Sequence, residues 1–232
     1  IFGIHIVPGK TGTLFYKPQG FMAASDRIDI VLHGRQTHGA WPWRGVDVIA
    51  VASQVVQTIN TLTARTLDPT TTPTVFTIST INAGVRYNII PDNVEMQGTL
   101  RTFDEDMRQE AHKRITATAE QIAASSGAKA KVRFGPVAYP VTTNPAALTE
   151  ASLPALKLAM GGKAMVIPKV SGSEDFSEFQ KVVPGFFYFL GAPPKGADFN
   201  KAPSNHSPLF DIDEDQLPVG ARTLAALAVD FL

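Results

Sequence analysis

The chain has 232 residues, with 21 lysines and arginines, 21 aspartates and glutamates and five histidines, so its formal net charge is zero. A chain without excess positive charge has little with which to neutralise phosphates, which disfavours nucleic-acid binding. Charged residues make up 18% and hydrophobic residues 44%, the balance of a folded globular chain. Because there is no cysteine, disulfides and thiolate catalysis are excluded, and any metal must be held by histidines and carboxylates.

The longest apolar runs, such as Gly185–Gly191, are far shorter than the roughly 20 residues of a membrane span. No basic-then-apolar signal segment opens the chain. We therefore expect a cytoplasmic protein that contacts neither membranes nor nucleic acids. The chain starts at Ile1, without an initiator methionine and already within an apolar strand, as expected for a piece of a longer protein.

Apolar periodicity in residues 26–137 predicts an α/β unit. Ile28, Ile30 and Leu32 alternate with polar residues, which is typical of a strand with one buried face. The elements predicted after it are a helix over Val46–Ala64, strands over Val75–Ile81 and Asn88–Thr102, a helix from Asp104 to near Gly127 and a strand over Lys129–Phe134. The order β-α-β-β-α-β predicts a ferredoxin-like fold, with Arg101 on the polar face of its sheet.

The two ends of the chain have a different pattern. The elements predicted there are short strands over Ile1–Ile6, Thr13–Tyr16 and Met165–Pro168, helices over Pro145–Met160 and from Glu174, an apolar strand over Phe186–Leu190 and a terminal helix through Leu217 and Phe231. Helices alternating with wholly apolar strands favour a sheet covered on both faces. We predict a partial α/β/α layer domain from residues 1–24 and 138–232, into which the ferredoxin-like unit of residues 25–137 is inserted.

Three histidines are candidates for chemistry. His5 lies in an apolar strand, where an imidazole is either functional or a core residue hydrogen-bonded to the backbone. His206 lies in a loop between a buried strand and the last helix, a frequent place for functional residues, although many loop histidines are merely solvated. His38 lies in a loop whose glycine, proline and tryptophans restrict its backbone. We assign His33 and His112 to solvated or structural roles.

The turn that leads into the short helix is another candidate feature. Glu174 and Asp175 follow Gly172 and Ser173, and carboxylates in a first helical turn complement the helix dipole. The N–H groups of the same turn could instead hold a substrate carboxylate. Arg101 is likewise either a solvated charge or a planar carboxylate clamp. No HExxH, P-loop or GxSxG pattern occurs, which disfavours serine and phosphoryl chemistry.

Six segments, taken in chain order, resemble one known family. They are GIHIVPG at 3–9, GRQTHGAWPWRGVD at 34–47, YNIIPDNVEMQGTLRTFD at 87–104, SGSEDFSEF at 171–179, FFYFLG at 186–191 and NHSPLFDIDEDQLPVGA at 205–221. Together they resemble the amidohydrolase branch of the dinuclear-metal aminoacylase and carboxypeptidase family, which includes hippurate hydrolases, auxin-conjugate hydrolases and N-acetyl-diaminopimelate deacetylases. The resemblance implies that residues 25–137 are the family's lid or dimerisation domain and that the remainder is part of its catalytic domain.

The resemblance also implies a role for each candidate residue. His5 and His206 match metal ligands of a site for two divalent ions, with zinc or manganese expected first and cobalt or nickel also compatible with imidazole ligands. His38 matches the lid histidine that, in the family's dimers, reaches into the partner's active site and steadies the tetrahedral oxyanion. The residues implied to contact substrate are Asn88 and Arg101, which match positions that recognise its carboxylate, and Gly172, Ser173 and Glu174, which match the turn lining the pocket.

The implied chemistry is hydrolysis of the amide bond in N-acyl amino acids or related amide conjugates. In the family the two metals activate a bridging water and a glutamate takes its proton. The segment that supplies the remaining ligands and this glutamate has no match in the 232 residues. We therefore expect a missing amino-terminal segment, a chain that is weakly active or inactive alone, and a homodimer formed through the lid.

Two other functions fit the same residues. An esterase would use the same scaffold, because oxyanion stabilisation serves either acyl transfer. A non-catalytic dimerisation or ligand-binding module would use the β-α-β-β-α-β unit alone, associating through its sheet edge or a helix. Comparing hydrolysis rates on an ester and on its matching amide distinguishes an esterase from an amidohydrolase. Substitution of His38 distinguishes a binding module from an enzyme, because a binding module would keep its affinity whereas a catalytic lid would lose turnover.

Overall fold

The computed structural model describes residues 1–135, 138–161 and 163–232. Its strands are β1 (Phe2–Val7), β2 (Leu14–Tyr16), β3 (Gln19–Met22), β4 (Asp26–His33), β5 (Thr37–His38), β6 (Thr74–Ala83), β7 (Ile89–Ile90), β8 (Asn93–Thr102), β9 (Lys129–Phe134), β10 (Thr142–Asn144), β11 (Ala164–Val166) and β12 (Phe186–Gly191). Its α-helices are α1 (Val48–Arg65), α2 (Glu105–Ser125), α3 (Ala146–Ala159), α4 (Phe176–Gln180) and α5 (Leu217–Phe231). Within these described ranges, no helix combines the length and the apolar character needed to cross a membrane.

The elements form two compact units. Unit 1 consists of Ile1–Met22, Thr142–Val170 and Glu174–Leu232, and unit 2 of Ala23–Val141 and Ser171–Ser173. Both units combine helices with β-sheet, so the predicted α/β class is confirmed. The domain boundary predicted at residue 137 lies outside the described residues. The turn at Ser171–Ser173 groups with unit 2, although the sequence analysis places it with the second end of the chain.

Unit 2 is an antiparallel sheet in the order β6-β8-β4-β9, with α1 and α2 packed against one face. Asp47 caps α1 by accepting from the N–H groups of Ile49 and Ala50, and Asp104 caps α2 by accepting from Met107. The largest fully buried side chains between sheet and helices are Ile28, Ile30, Leu32, Ile59, Met96, Leu100 and Ile115. The predicted β-α-β-β-α-β order and its ferredoxin-like topology are confirmed.

The long strand predicted over Asn88–Thr102 is wrong in its first part. Ile89–Ile90 forms the separate strand β7, which pairs with β5 and not with the main sheet. Pro91 has no N–H group to donate to a ladder, and β8 begins only at Asn93. The interruption holds Asn88 beside the loop of His38, a contact that the sequence pattern does not predict.

Unit 1 is built on a mixed sheet in the order β1-β12-β2-β11, in which β1 and β12 run parallel. β12 is apolar and buried at every residue, which is typical of a strand covered on both faces. One face packs against α3 and α5 through Leu156 and Leu227, and the other packs against Phe176 at the start of α4. Because side chains alternate along β1, Ile4 faces the α5 side and His5 the opposite side.

Candidate functional site

His5 is positioned by the parallel pair of β1 and β12. Its ring stands edge-on to the ring of Phe189, its register partner on β12, with centroids 6.1 Å apart. Its Nδ1 lies 2.7 Å from the carbonyl oxygen of Ile6. Because a carbonyl oxygen only accepts, Nδ1 carries the proton and Nε2 keeps its lone pair. This is how metal-binding imidazoles are oriented, and it also satisfies a core histidine, so the function of His5 depends on its neighbours.

The loop that carries His206 is hydrogen-bonded to the carboxyl end of β1, the strand that contains His5. The side-chain Nδ2 of Asn205 donates to the carbonyl oxygen of Ile6 at 2.9 Å, the oxygen that His5 also faces. His206 is exposed and has a φ of 73°, a left-handed conformation that is uncommon outside glycine and marks a constrained position. The structure therefore brings His5 and the His206 loop together. The sequence analysis missed Asn205, and its place directly before His206 is the only signal for it.

Glu174 is half-buried just before α4. Burial raises the pKa of its carboxyl, and so do the hydrogen bond and the negative charge of Asp175, while the charge of His5 opposes them. The backbone N–H of Asp175 donates to Oε1 of Glu174 at 3.1 Å. The Asp175 side chain makes no capping hydrogen bond, so helix capping does not explain this carboxylate pair. A carboxyl of raised pKa near an imidazole is suited to proton transfer.

The residues of unit 1 fit part of a metal site but not the whole of it. His5 has a free Nε2, and His206 lies in the loop fastened beside it, which fits two imidazole ligands. Two ligands leave a zinc ion, which takes four, without its full coordination. Over the described ranges, no group of three histidine or carboxylate side chains is placed so that it could hold a metal ion. These residues therefore do not form a dinuclear centre by themselves.

His38 lies on β5, and Asn88 directly precedes β7, the strand that pairs with β5 in unit 2. His38 is the register partner of Ile89, and the N–H of Gly39 donates to the carbonyl oxygen of Asn88 at 2.8 Å. Nδ1 of His38 accepts a hydrogen bond from the N–H of Ala40 at 3.0 Å. In the neutral ring the proton is therefore on Nε2, which makes this exposed side chain a fixed N–H donor. Oxyanion stabilisation requires such a donor.

Arg101 lies at the other end of β8 from Asn88. Ile89 lines a cavity of about 330 Å³ together with Asn93 and Glu95, at the start of β8. Arg101 follows Asn93 by eight residues, which is roughly 27 Å along an extended strand. Asn88 and Arg101 therefore lie near opposite ends of β8.

The guanidinium of Arg101 is not simply solvated. The residue is half-buried, and its Nη1 is buried without a hydrogen-bond partner in the part of the chain that the structure describes. A buried N–H without a partner costs free energy, and a carboxylate is the partner that a guanidinium matches best. Gly172 accepts a hydrogen bond from the N–H of Ala23 at 2.9 Å, which fixes the turn that contains the half-buried Ser173 within unit 2.

His112 belongs to a buried charge cluster of unit 2, defined by Asp26, Arg108 and His112. Nε2 of His112 lies 3.2 Å from the Asp26 carboxylate, and its ring stacks on Phe134 with centroids 3.7 Å apart. Arg108 donates twice to Asp26, at 2.8 and 2.7 Å. Burial alone would raise the pKa of Asp26, but the hydrogen bonds and charges of Arg108 and His112 outweigh it and lower that pKa. The four-residue spacing of Arg108 and His112 on α2 is the signal that the sequence offers for this cluster.

Comparison with known proteins gives the family. Residues 23–126 match the family model of the peptidase dimerisation domain. The chain is 37% identical over 234 residues to thermostable carboxypeptidase 2 of Saccharolobus solfataricus and 34% identical over 233 residues to an N-acetylcysteine deacetylase of Bacillus subtilis. Both similarities cover 100% of this chain, and 58% and 59% of those proteins. The crystal structure of a dinuclear metal binding peptidase from Bacillus subtilis matches with a TM-score of 0.79 at 32% identity, over 100% of this chain and 57% of that chain.

The names of these relatives describe a carboxypeptidase, a deacetylase and a dinuclear metal binding peptidase, all of them hydrolases. The chain spans a little more than half of their length. The resemblance carried by the six sequence segments is confirmed. Residues 23–126 match the peptidase dimerisation domain, and the chain as a whole is similar to members of the dinuclear-metal aminoacylase and carboxypeptidase family.

Proposed function

We propose that the protein hydrolyses the amide bond of N-acyl amino acids or related amide conjugates, using water activated by divalent metal ions. The observation that carries this proposal is the shared carbonyl oxygen of Ile6. It holds the Nδ1–H of His5 and the side chain of Asn205, so that two histidines from opposite ends of the chain lie at the carboxyl end of β1. The carboxyl ends of strands in open α/β sheets are where such proteins bind their ligands.

We assign roles to the residues of each unit separately. In unit 1, Nε2 of His5 and the imidazole of His206 would ligate metal, which when bound polarises a carbonyl and lowers the pKa of its water. Glu174 would hold a proton close to His5, because the pKa of its carboxyl is raised. In unit 2, Arg101 would bind the substrate carboxylate through its unpartnered Nη1, beside the turn of Gly172 and Ser173.

We also propose that the protein works as a homodimer formed through unit 2. Residues 23–126 match a dimerisation domain, which supports this assembly. The separation of Asn88 and Arg101 along β8 supports it independently, because both can serve one substrate only if they come from different chains. His38 lies beside Asn88, because the N–H of Gly39 donates to the carbonyl oxygen of Asn88, and we assign both residues to the partner chain.

Metal binding by the 232-residue chain tests the assignment of the ligands. Calorimetric titration with zinc or manganese should show saturable binding, and His5→Gln and His206→Gln should each weaken it by at least about tenfold, because each removes one of two ligands. His33→Gln is the matched control, since His33 is an exposed histidine on β4 and should leave binding unchanged. Binding by His5→Gln equal to that of the unsubstituted chain would overturn the assignment.

Hydrolysis of an N-acetyl amino acid and of its matching ester separates the amidase from the esterase. Because the described residues hold only part of a ligand set, we expect slow turnover or none from this chain alone. Any turnover should favour the amide, stop with a chelator and be lost in His5→Gln. Hydrolysis that survives the chelator, or that acts on the ester alone, would contradict the proposed reaction.

A further inference from the structure

A cleft of about 380 Å³ lies between α1 and α2 of unit 2, within the size range of small-molecule sites. Its lining includes two arginines, Arg65 from α1 and Arg114 from α2, and four threonines. None of these residues belongs to the candidate site or to the buried charge cluster. The cleft therefore has a charged lining without an assigned use.

Short side chains keep the cleft open. Deeper between the helices and the sheet, Ile59 and Ile115 are fully buried. Further out, α2 presents Ala117 and Thr118 beside Arg114, and these two side chains are too small to fill the space between the two helices. Leu62 of α1 is 8% exposed and gives the cleft an apolar floor. The sequence thus combines a packed interior with a gap at the surface.

The charge in this gap is one-sided, because its lining contains two guanidinium groups and no carboxylate. Arg114 bonds Glu110, one turn earlier on α2, through Nε, which leaves its two Nη groups for another partner. Arg65 has no ion-pair partner in the part of the chain that the structure describes. Two like charges that share a cleft repel each other, and an anion between them removes that repulsion.

Hydroxyl groups add uncharged donors to the same cleft. Over the described ranges, the hydroxyls of Thr58 and Thr118 make no hydrogen bond within the chain. The carboxyl end of α1 also lies here, and its carbonyl groups would repel an anion. The carbonyl of Leu62, however, accepts from both the N–H and the hydroxyl of Thr66, at 2.9 and 2.8 Å. This double capping reduces the repulsion and leaves the positive groups dominant.

We propose that the cleft binds a small molecule with an oxyanion group, held between Arg65 and Arg114. Guanidinium groups match phosphate and carboxylate oxygens with paired hydrogen bonds, and the hydroxyls of Thr58 and Thr118 can donate to the remaining oxygens. Leu62 and the methyl groups of the threonines would contact a compact apolar body. The site does not depend on amide hydrolysis, because it shares no residue with the metal ligands.

Titration of the 232-residue chain with inorganic phosphate and with benzoate tests the proposal. Binding is followed by the NMR shifts of backbone amides at constant ionic strength, with sodium chloride as the reference. The amides of residues 58–66 and 114–118 should shift and saturate, with a dissociation constant on the order of 1 mM. Arg65→Gln and Arg114→Gln should each weaken binding by about tenfold or more, while Arg65→Lys should retain part of it.

Arg133→Gln is the charge-matched control, because Arg133 lies on the exposed face of β9, away from the helices. A tighter response to benzoate than to phosphate would identify an organic carboxylate as the ligand, and the reverse would identify a phosphate. Melting curves of the variants show whether each still folds. The proposal fails if no saturable shift exceeds that of chloride, or if Arg133→Gln weakens binding as much as Arg65→Gln.

Discussion

The two edge strands of the unit 2 sheet, β6 and β9, have opposite surface chemistry. β6 contains no charged residue, and its Val75 and Ile81 are 57% and 54% exposed. β9 carries Lys129, Lys131 and Arg133 on the face that points away from the core. An uncharged, exposed edge is a template for pairing with another strand, whereas a row of charges opposes such pairing. One edge of the sheet is therefore open to a partner and the other is closed.

The core-facing side chains of β9 and β6 differ as well. Phe134 of β9 stacks on His112, which belongs to the buried charge cluster with Asp26 and Arg108. β6 contributes no charged group to the core, which it contacts chiefly through Phe76. A sheet with one open edge can pair with a second copy about a two-fold axis and then stop, because the closed edges cannot extend it. This comparison explains how unit 2 could dimerise without forming longer assemblies.

Substitution in the buried charge cluster, whose His112 stacks on Phe134 of β9, should give the largest loss of stability. Asp26→Ala removes the buried carboxylate partner of Arg108 and leaves it only the half-exposed Glu105, so the free energy of unfolding in urea should fall by about 3–5 kcal/mol. Asp29→Ala is the matched control on the same strand, because Asp29 pairs with the exposed Arg27 and should cost no more than about 1 kcal/mol. Equal losses of unfolding free energy in Asp26→Ala and Asp29→Ala would show that the buried charge cluster does not stabilise this part of the sheet.

The same pair of variants has a defined pH dependence. The pKa of Asp26 is lowered in the folded protein, so its carboxylate stabilises the fold above the ordinary aspartate pKa of about 3.9. This contribution is lost as the pH falls through the lowered pKa. The stability difference between the unsubstituted protein and Asp26→Ala should therefore shrink as the pH falls below about 4. A difference that grows on acidification would contradict the role given to the carboxylate.

Local signals account for the part of the fold that could be predicted. The alternation of Ile28, Ile30 and Leu32 and the caps Asp47 and Asp104 depend on neighbouring residues, so the sequence alone predicts the main strands and helices of unit 2, though not the short strands β5 and β7. Contacts between distant residues leave no such pattern. The pairing of Asp26 with Arg108, 82 residues later, is one of them.

The candidate site shows the same limit. His5 and His206 could be chosen only because their segments resemble a family, and no periodicity relates two residues that far apart. The shared carbonyl of Ile6 is a tertiary contact that only the fold creates. Asn88 and Arg101 likewise could be chosen from the resemblance alone, and the length of extended backbone between them appears only in the fold.

Charge on the open edge should give the next largest effect, on assembly. A lysine placed on β6 introduces a charge into a strand pairing that otherwise has none, and near the two-fold axis it also meets the partner's copy of the same lysine. Val75→Lys and Ile81→Lys should therefore raise the dissociation constant of the dimer by at least about tenfold, measured by sedimentation. The register of β6 shifts between Ile78 and Thr80, so the two variants also show which half of the strand pairs.

Val229→Lys is the control for this change, because Val229 is 77% exposed on α5 and belongs to unit 1. It introduces the same charge without touching the sheet edge and should leave the dimer intact. A dimer that persists in both β6 variants, or a monomeric unsubstituted protein, would exclude pairing through the open edge.

Removing charge from the closed edge should have the smallest effect on stability and still change the assembly. Replacement of Lys129, Lys131 and Arg133 by threonine should change the free energy of unfolding by less than about 0.5 kcal/mol per site, because these are exposed positions. With both edge strands uncharged, β9 can also pair with a further chain. Species larger than a dimer should therefore appear as the protein concentration rises. A second triple variant, with Lys113, Lys157 and Lys163 replaced by threonine, removes the same net charge elsewhere on the surface. If both triple variants assemble alike, net charge and not the edge of β9 limits the assembly; if only the β9 variant grows beyond two chains, the row of charges is what closes that edge.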